Sequence, residues 1–120
     1  MPQITVEYSA ELADAFDRRG FALALHAPAA ELLESSPGDF KTRFYAIGES
    51  VIGMDAGDGA MIHVDLAILS GRTPETKREL GRLALETAGR YLAPVPGRTV
   101  QLTVEVRDLD RANYHKSVLG

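Results

Sequence analysis

The sequence contains no cysteine and no tryptophan, and its basic residues form no cluster. Without cysteine, the chain has no disulfide, thiolate metal site, iron–sulfur cluster or cysteine nucleophile, and its composition fits a reducing cytoplasmic location. Because 13 basic residues are scattered among 17 acidic ones, we expect no nucleic-acid partner. No apolar stretch approaches the roughly 20 residues of a transmembrane helix, so we expect no membrane partner.

What is present suits one small globular domain covering residues 1–120. Hydrophobic residues make up 45% of the chain and charged residues 25%, which is ordinary for a soluble protein and sufficient for one core. The histidines lack neighbouring ligands at metal-binding spacing, and no glycine-rich loop has the strand–helix context of a phosphate site. We therefore expect neither a metal nor a cofactor.

Two alternating segments indicate an internal repeat. Residues 3–8 and 61–69 alternate with the period of a β-strand, and Ile4 superposes on Ile62 at an offset of 58 residues. At the same offset, Phe44, Ala46 and Gly48 of a second strand superpose on Leu102, Val104 and Val106 of a strand over 99–107. The chance similarity of alternating strands is the alternative explanation. We favour two β-α-β units, over about 2–50 and 60–108.

A helix is predicted between the strands of each unit. The first lies within 10–35 and is regular over about 17–34, with Ser9 as a candidate N-cap and with Gly20 and Pro28 as interruptions. The second begins after Thr73, an N-cap residue followed by a proline. Residues 49–60 are predicted to be a loop and residues 108–120 a polar tail. The predicted fold is a two-layer α+β domain, a four-stranded mixed sheet with both helices on one face.

The opposite face of the predicted sheet is polar and mixed in charge. It is either washed by solvent or buried against other subunits, where opposite charges pair, and the pattern favours the two interpretations equally. Its members are Thr5, Glu7, Lys41, Arg43, His63, Asp65, Thr103, Glu105 and Arg107.

Pro2 is a candidate general base. Removal of Met1 would leave proline as the amino terminus, and its secondary amine, with a pKa near the reference 7.7–8.0 of an α-amino group, can accept a proton near neutral pH. A second-position proline is common, however, and its ordinary significance is only that Met1 is removed.

Arg72, Lys41 and Arg43 are candidate anion-binding residues. Arg72 precedes a predicted helix, where its charge opposes the helix dipole, and a locally unfavourable residue suggests a function such as carboxylate binding. Lys41 and Arg43 point the same way from one strand. The alternatives are an exposed turn arginine, and pairing of the strand cations with acidic neighbours. If the first strands of the two units run antiparallel, Pro2 lies close to Arg72.

With these residues assembled, the chain resembles the tautomerase superfamily, and within it the 5-carboxymethyl-2-hydroxymuconate isomerases. The likeness covers essentially the whole chain and includes the proline start and the Gly-Arg-Thr-Pro turn. The segments that carry it are residues 1–9, 40–43, 69–75 and 104–110, together with His63.

The resemblance implies an enzyme, a homotrimer, in which Pro2 is the catalytic base and Arg72 binds or polarises the substrate. Lys41 would bind a carboxylate of a small polycarboxylate substrate, with Arg43 as the weaker candidate for that work. The implied activity is isomerisation of 5-carboxymethyl-2-hydroxymuconate in homoprotocatechuate breakdown, without a cofactor. The alternatives are a tautomerase with a different 2-oxo acid substrate, or a non-catalytic trimer that binds small anions.

Overall fold

The computed structural model describes residues 1–54 and 56–120. Part of the loop predicted over 49–60, namely Asp55, lies outside the described residues. The helices and strands follow the predicted order. They are β1 (Gln3–Ser9), a 3-10 turn (Ala10–Leu12), α1 (Arg18–Leu33), a second 3-10 turn (Pro37–Asp39), β2 (Lys41–Ile47), β3 (Gly59–Leu69), α2 (Pro74–Arg90), β4 (Thr99–Leu109) and a third 3-10 turn (Arg111–Asn113).

The four strands form one mixed sheet in the order β2-β1-β3-β4. The pairs β1–β2 and β3–β4 are parallel, and the central pair β1–β3 is antiparallel. Buried side chains of both helices join the buried side chains of β1 and β3 in a single hydrophobic cluster, so both helices cover the same face. The predicted two-layer fold is therefore confirmed.

The strand registers bear on the proposed repeat. Val6 pairs with Val64 at the centre of the sheet, which is compatible with an offset of 58 residues between β1 and β3. The outer strands β2 and β4 do not follow the offset of 58. Val6 pairs with Phe44 and Val64 pairs with Val104, so Phe44 and Val104 are equivalent and lie 60 residues apart. The two-unit repeat stays a prediction, and these registers favour a second unit in which the crossover is two residues longer.

Helix α1 begins with an N-cap other than the expected one. The carboxylate of Asp17 accepts a hydrogen bond from the Gly20 N–H at 3.0 Å, whereas Ser9 accepts one from the Met61 N–H at 2.9 Å and joins β1 to β3. Glycine is required at position 20, because a Cβ there would overlap the Asp17 carboxylate and the Tyr91 ring. The helix thus needs Gly20 for its cap and is not interrupted by it.

Pro28 also lies inside α1 without ending it. A proline removes one hydrogen bond of the helix interior. Here Pro28 is exposed, while Phe21, Leu25 and Ala29 of the same helix are fully or almost fully buried in the core. We attribute the continuity of the helix to this packing, which outweighs the lost hydrogen bond.

Helix α2 begins as the sequence predicts. The Thr73 hydroxyl accepts a hydrogen bond from the Thr76 N–H at 3.1 Å, and Pro74 occupies the first helical position. On the exposed side of the helix, Arg82 forms an ion pair with Glu79, three residues earlier, at 2.7 Å.

The polar face of the sheet is paired across strands. Arg107 donates two hydrogen bonds to the Asp65 carboxylate, at 3.0 and 3.1 Å. The Asp65 interaction raises the pKa of the Arg107 guanidinium further above its usual range. His63 lies 2.7 Å from the Thr103 hydroxyl on the same face.

Candidate active site

The strand directions bring four chain segments to one end of the sheet. Strands β1 and β2 begin there, while β3 and β4, which run the other way, end there. The Lys41 N–H donates to the carbonyl of Pro2 at 3.2 Å, and the Ser70 N–H donates to the carbonyl of Leu109 at 3.0 Å. The start of the chain, the turn before α2 and the tail after β4 therefore meet at this end.

A glycine turn delivers Arg72 to this end. Gly71 has a φ of 114°, a backbone conformation that side chains other than glycine rarely adopt. The guanidinium of the half-buried Arg72 donates to the carbonyl of Leu33 at 2.8 Å. Leu33 is the last residue of α1, where carbonyls lack helical partners and the dipole is negative. The charge of Arg72 is unfavourable beside the positive N-terminal end of the α2 dipole, but it is favourable beside the negative C-terminal end of the α1 dipole.

The charges of four side chains influence the amino group of Met1. Partial burial lowers the pKa of this amine below its usual value, Asp39 acts in the opposite direction, and Lys41, Arg72 and Lys116 lower the pKa further. A cation beside an amine disfavours its protonated form. At this end of the sheet, burial and three cations therefore outweigh Asp39 and reduce the proton affinity of the amine.

Pro2 itself is buried, and its nitrogen is an amide because Met1 precedes it. The antiparallel pairing of β1 and β3, on which the predicted proximity of Pro2 and Arg72 depends, is found, and Arg72 lowers the pKa of the Met1 amine.

Lys41 and Arg43 differ in their surroundings, although both are exposed on β2. The Lys41 ammonium donates to the carbonyl of Asp39 at 3.2 Å and acts on the terminal amine. Arg43 instead donates to the side-chain oxygen of Gln3 at 2.6 Å and to the Thr5 hydroxyl at 3.4 Å. Arg43 is not among the charges that act on the amine.

Three residues near the chain start were not predicted from the sequence. Asp39 precedes β2, and Tyr114 and Lys116 belong to the tail. The ammonium of Lys116 lies 3.7 Å from the Asp39 carboxylate, and the Tyr114 hydroxyl accepts from the Gln3 side-chain amide at 2.8 Å. The sequence offered only the charges of Asp39 and Lys116 as a signal and none for Tyr114, since their approach depends on the path of the tail.

A groove of about 700 Å³ lies between α1 and β2, next to this cluster. Lys41 lines it together with His26, Phe40 and Thr42, whereas Pro2 and Arg72 do not. His26 lies 2.7 Å from the Thr42 hydroxyl, and partial burial lowers the pKa of its imidazole.

Within residues 1–54 and 56–120, no group of three or more carboxylate or imidazole residues could hold a metal ion. In the same residues, no helix has the length and apolar character needed to cross a bilayer.

A family model described as 5-carboxymethyl-2-hydroxymuconate isomerase matches residues 2–119. This chain belongs to that family. Membership makes the chain an isomerase of the tautomerase type. A comparison with curated protein sequences gives no match.

Solved structures agree with this family fold. A 5-carboxymethyl-2-hydroxymuconate delta-isomerase is 20% identical, with a TM-score of 0.80 over 100% of this chain and 89% of that one. A 5-carboxymethyl-2-hydroxymuconate isomerase from Deinococcus radiodurans R1 is 21% identical, with a TM-score of 0.72 over 97% and 88%. A fused 4-OT protein, a symmetric trimer, is 14% identical, with a TM-score of 0.76 over 96% and 93%.

Proposed function

We propose that this family member moves a proton within an unsaturated 2-hydroxy or 2-oxo polycarboxylic acid, and that its substrate is 5-carboxymethyl-2-hydroxymuconate, an intermediate of homoprotocatechuate breakdown. The family match over residues 2–119 supports this proposal. The observation that carries it is the meeting of the chain start, Lys41 and the turn that holds Arg72 at one end of the sheet, where Lys41, Arg72 and Lys116 lower the pKa of the terminal amine. A base among cations suits an anionic substrate from which a proton must be removed.

The proposed general base is the nitrogen of Pro2 after removal of Met1. That nitrogen would then be a secondary amine one residue from the present terminus, at a buried position. Burial and the neighbouring cations lower the pKa of the present terminal amine, and the same influences would lower the pKa of the Pro2 amine. An unprotonated amine can then accept the substrate's proton.

Arg72 and Lys41 are the proposed partners of the substrate's carboxylates. The Leu33 hydrogen bond involves one amino group of Arg72, and a guanidinium carries five N–H donors in a planar fork that matches a carboxylate. The contact thus orients Arg72 without using up its donors. Both cations would also stabilise the negative charge that develops on the 2-oxo oxygen.

The proposed reaction moves one proton and one double bond. Pro2 takes the proton from the 2-hydroxyl group, and the electron pair of that bond becomes part of a carbonyl group. The displaced electrons of the diene accumulate at a distant carbon, which receives the proton back from protonated Pro2. The proton count is unchanged, and the steps require no cofactor.

The homotrimer remains part of the proposal, and the cytoplasmic location stays a prediction. The likeness to a symmetric trimer of the same fold supports the assembly. Arg43 is a less favoured substrate ligand than Lys41, because its contacts with Gln3 and Thr5 belong to the polar face of the sheet.

An absorbance assay on a panel of dienols tests the proposed substrate. We expect the wild-type protein to turn over 5-carboxymethyl-2-hydroxymuconate with a higher kcat/KM than 2-hydroxymuconate or enol-phenylpyruvate. Preferential turnover of another dienol would overturn the substrate assignment and favour a different tautomerase. Binding without turnover of any dienol, in protein whose intact mass lacks Met1, would favour a non-catalytic anion-binding protein.

A further inference from the structure

The tail after β4 crosses the proposed active site and is attached at three places. We call residues 110–116 the strap. The Arg111 guanidinium donates twice to the carbonyl of Ser70, at 2.9 and 2.8 Å. Tyr114 accepts from Gln3 at 2.8 Å, and Lys116 pairs with Asp39.

Each attachment lies within two residues of a proposed site residue. Ser70 is two residues before Arg72, Gln3 follows Pro2, and Asp39 is two residues before Lys41. The strap therefore joins the three segments that form the site. Its last attachment brings the ammonium of Lys116 within 3.6 Å of the Met1 sulfur.

The ion pair of Lys116 is of a kind that a ligand can replace. The lysine and Asp39 are separated by 3.7 Å, and their side chains remain 37% and 36% exposed. Exposed pairs with such geometry contribute little stability. A substrate carboxylate could thus compete with Asp39 for the ammonium, and Asp39 would keep Lys116 beside the base until the substrate arrives.

We propose that Lys116 binds the substrate and makes the site selective for ligands with a third carboxylate. The attachments of the strap hold Lys116 at the site. The inference rests on the proposed function and deepens it. Arg72 and Lys41 suffice for two carboxylates, whereas Lys116 adds a third cation at the chain start, beside Met1 and Asp39. The preferred ligands are therefore tricarboxylates, because a dicarboxylate leaves one of the three cations without an anionic partner.

Calorimetry with two unreactive probes, tricarballylate and glutarate, tests this selectivity without requiring turnover. Lys116→Gln is expected to weaken tricarballylate binding by about tenfold and glutarate binding by less than threefold, while Lys116→Arg keeps the preference. Lys77→Gln is the matched control, because Lys77 also pairs with an aspartate, Asp108, at 3.3 Å, but does not act on the terminal amine. Equal effects of Lys116→Gln on both probes, or no effect, would overturn the inference.

A second measurement separates this inference from the proposed function. In an NMR titration of the terminal amine, Lys116→Gln removes a cation and raises the pKa of the amine, whereas Asp39→Asn lowers it. An amine pKa that is the same in wild type and Lys116→Gln would contradict the placement of the strap. Failure of the wild type to turn over any dienol would overturn the proposed function alone, and the probe affinities would still decide the role of Lys116.

Discussion

The guanidinium of Arg72 stabilises the end of α1 and also influences the terminal amine. Its hydrogen bond to Leu33 supplies a partner at the end of α1, so the local conflict with the dipole of α2 has a compensation elsewhere in the fold. The same residue also acts on the terminal amine. A residue that is locally unfavourable can thus have a structural explanation and still belong to a candidate site.

At the scale of single residues, His26 should make the free energy of unfolding depend on pH. Burial lowers the pKa of the folded imidazole, so as the pH falls below about 6.5 the unfolded chain binds the proton more readily than the folded one. The free energy of unfolding should therefore decrease between pH 7 and pH 5. We expect His26→Gln to reduce this decrease in denaturant titrations, whereas His115→Gln, at an exposed position of the tail, should not. An equal decrease of the free energy of unfolding between pH 7 and pH 5 in wild type and His26→Gln would contradict the prediction.

Individual site residues were predictable to different degrees. Pro2 and Arg72 could be predicted to lie close together because strand direction alone brings the start of β1 to the end of β3. Asp39 and Lys116 could not, because their contact joins a turn to a tail that has no periodic pattern. Alternation placed Lys41 and Arg43 on the same face of β2, but it does not report the neighbours of each side chain.

At the scale of secondary-structure elements, periodicity predicted which segments form strands and helices. It did not predict where they end, because the ends depend on contacts with other elements. Strand β4 extends through Leu109, two residues beyond the predicted end, because β3 supplies partners as far as Leu69. Helix α1 passes through Pro28, which local propensity alone marks as an interruption. These differences arise where packing and strand pairing outweigh the preference of a single residue.

The beginning of α2 offers a test at this scale. Thr73→Ala removes the hydroxyl that accepts the Thr76 N–H and should lower the free energy of unfolding by about 1 kcal/mol. Thr73→Ser retains the acceptor and serves as the control in urea titrations. Equal loss of stability in both variants would show that the hydroxyl is not the stabilising group.

At the scale of the whole molecule, the sheet presents surfaces suited to association. Val100, Leu102, Val104 and Val106 of β4 pack against the hydrophobic core but are only half-buried in the single chain. The polar face carries the Asp65–Arg107 pair. Such surfaces, in a domain of this size, favour burial between subunits.

The proposed trimer predicts a solution mass. Light scattering coupled to size-exclusion chromatography should give about three times the 13.0 kDa of one chain, across a range of protein concentrations. A mass of one chain under conditions in which the protein is active would contradict the trimer.

The most direct test of the central claim is the turnover of 5-carboxymethyl-2-hydroxymuconate by Pro2→Ala. Alanine leaves a terminal amine but makes it primary and alters its geometry, so we expect turnover to fall by about a hundredfold or more with the oligomeric mass unchanged. Pro96→Ala, at an exposed loop proline, should retain wild-type turnover. Unchanged turnover in Pro2→Ala, or full activity in wild-type protein whose intact mass still includes Met1, would contradict the account.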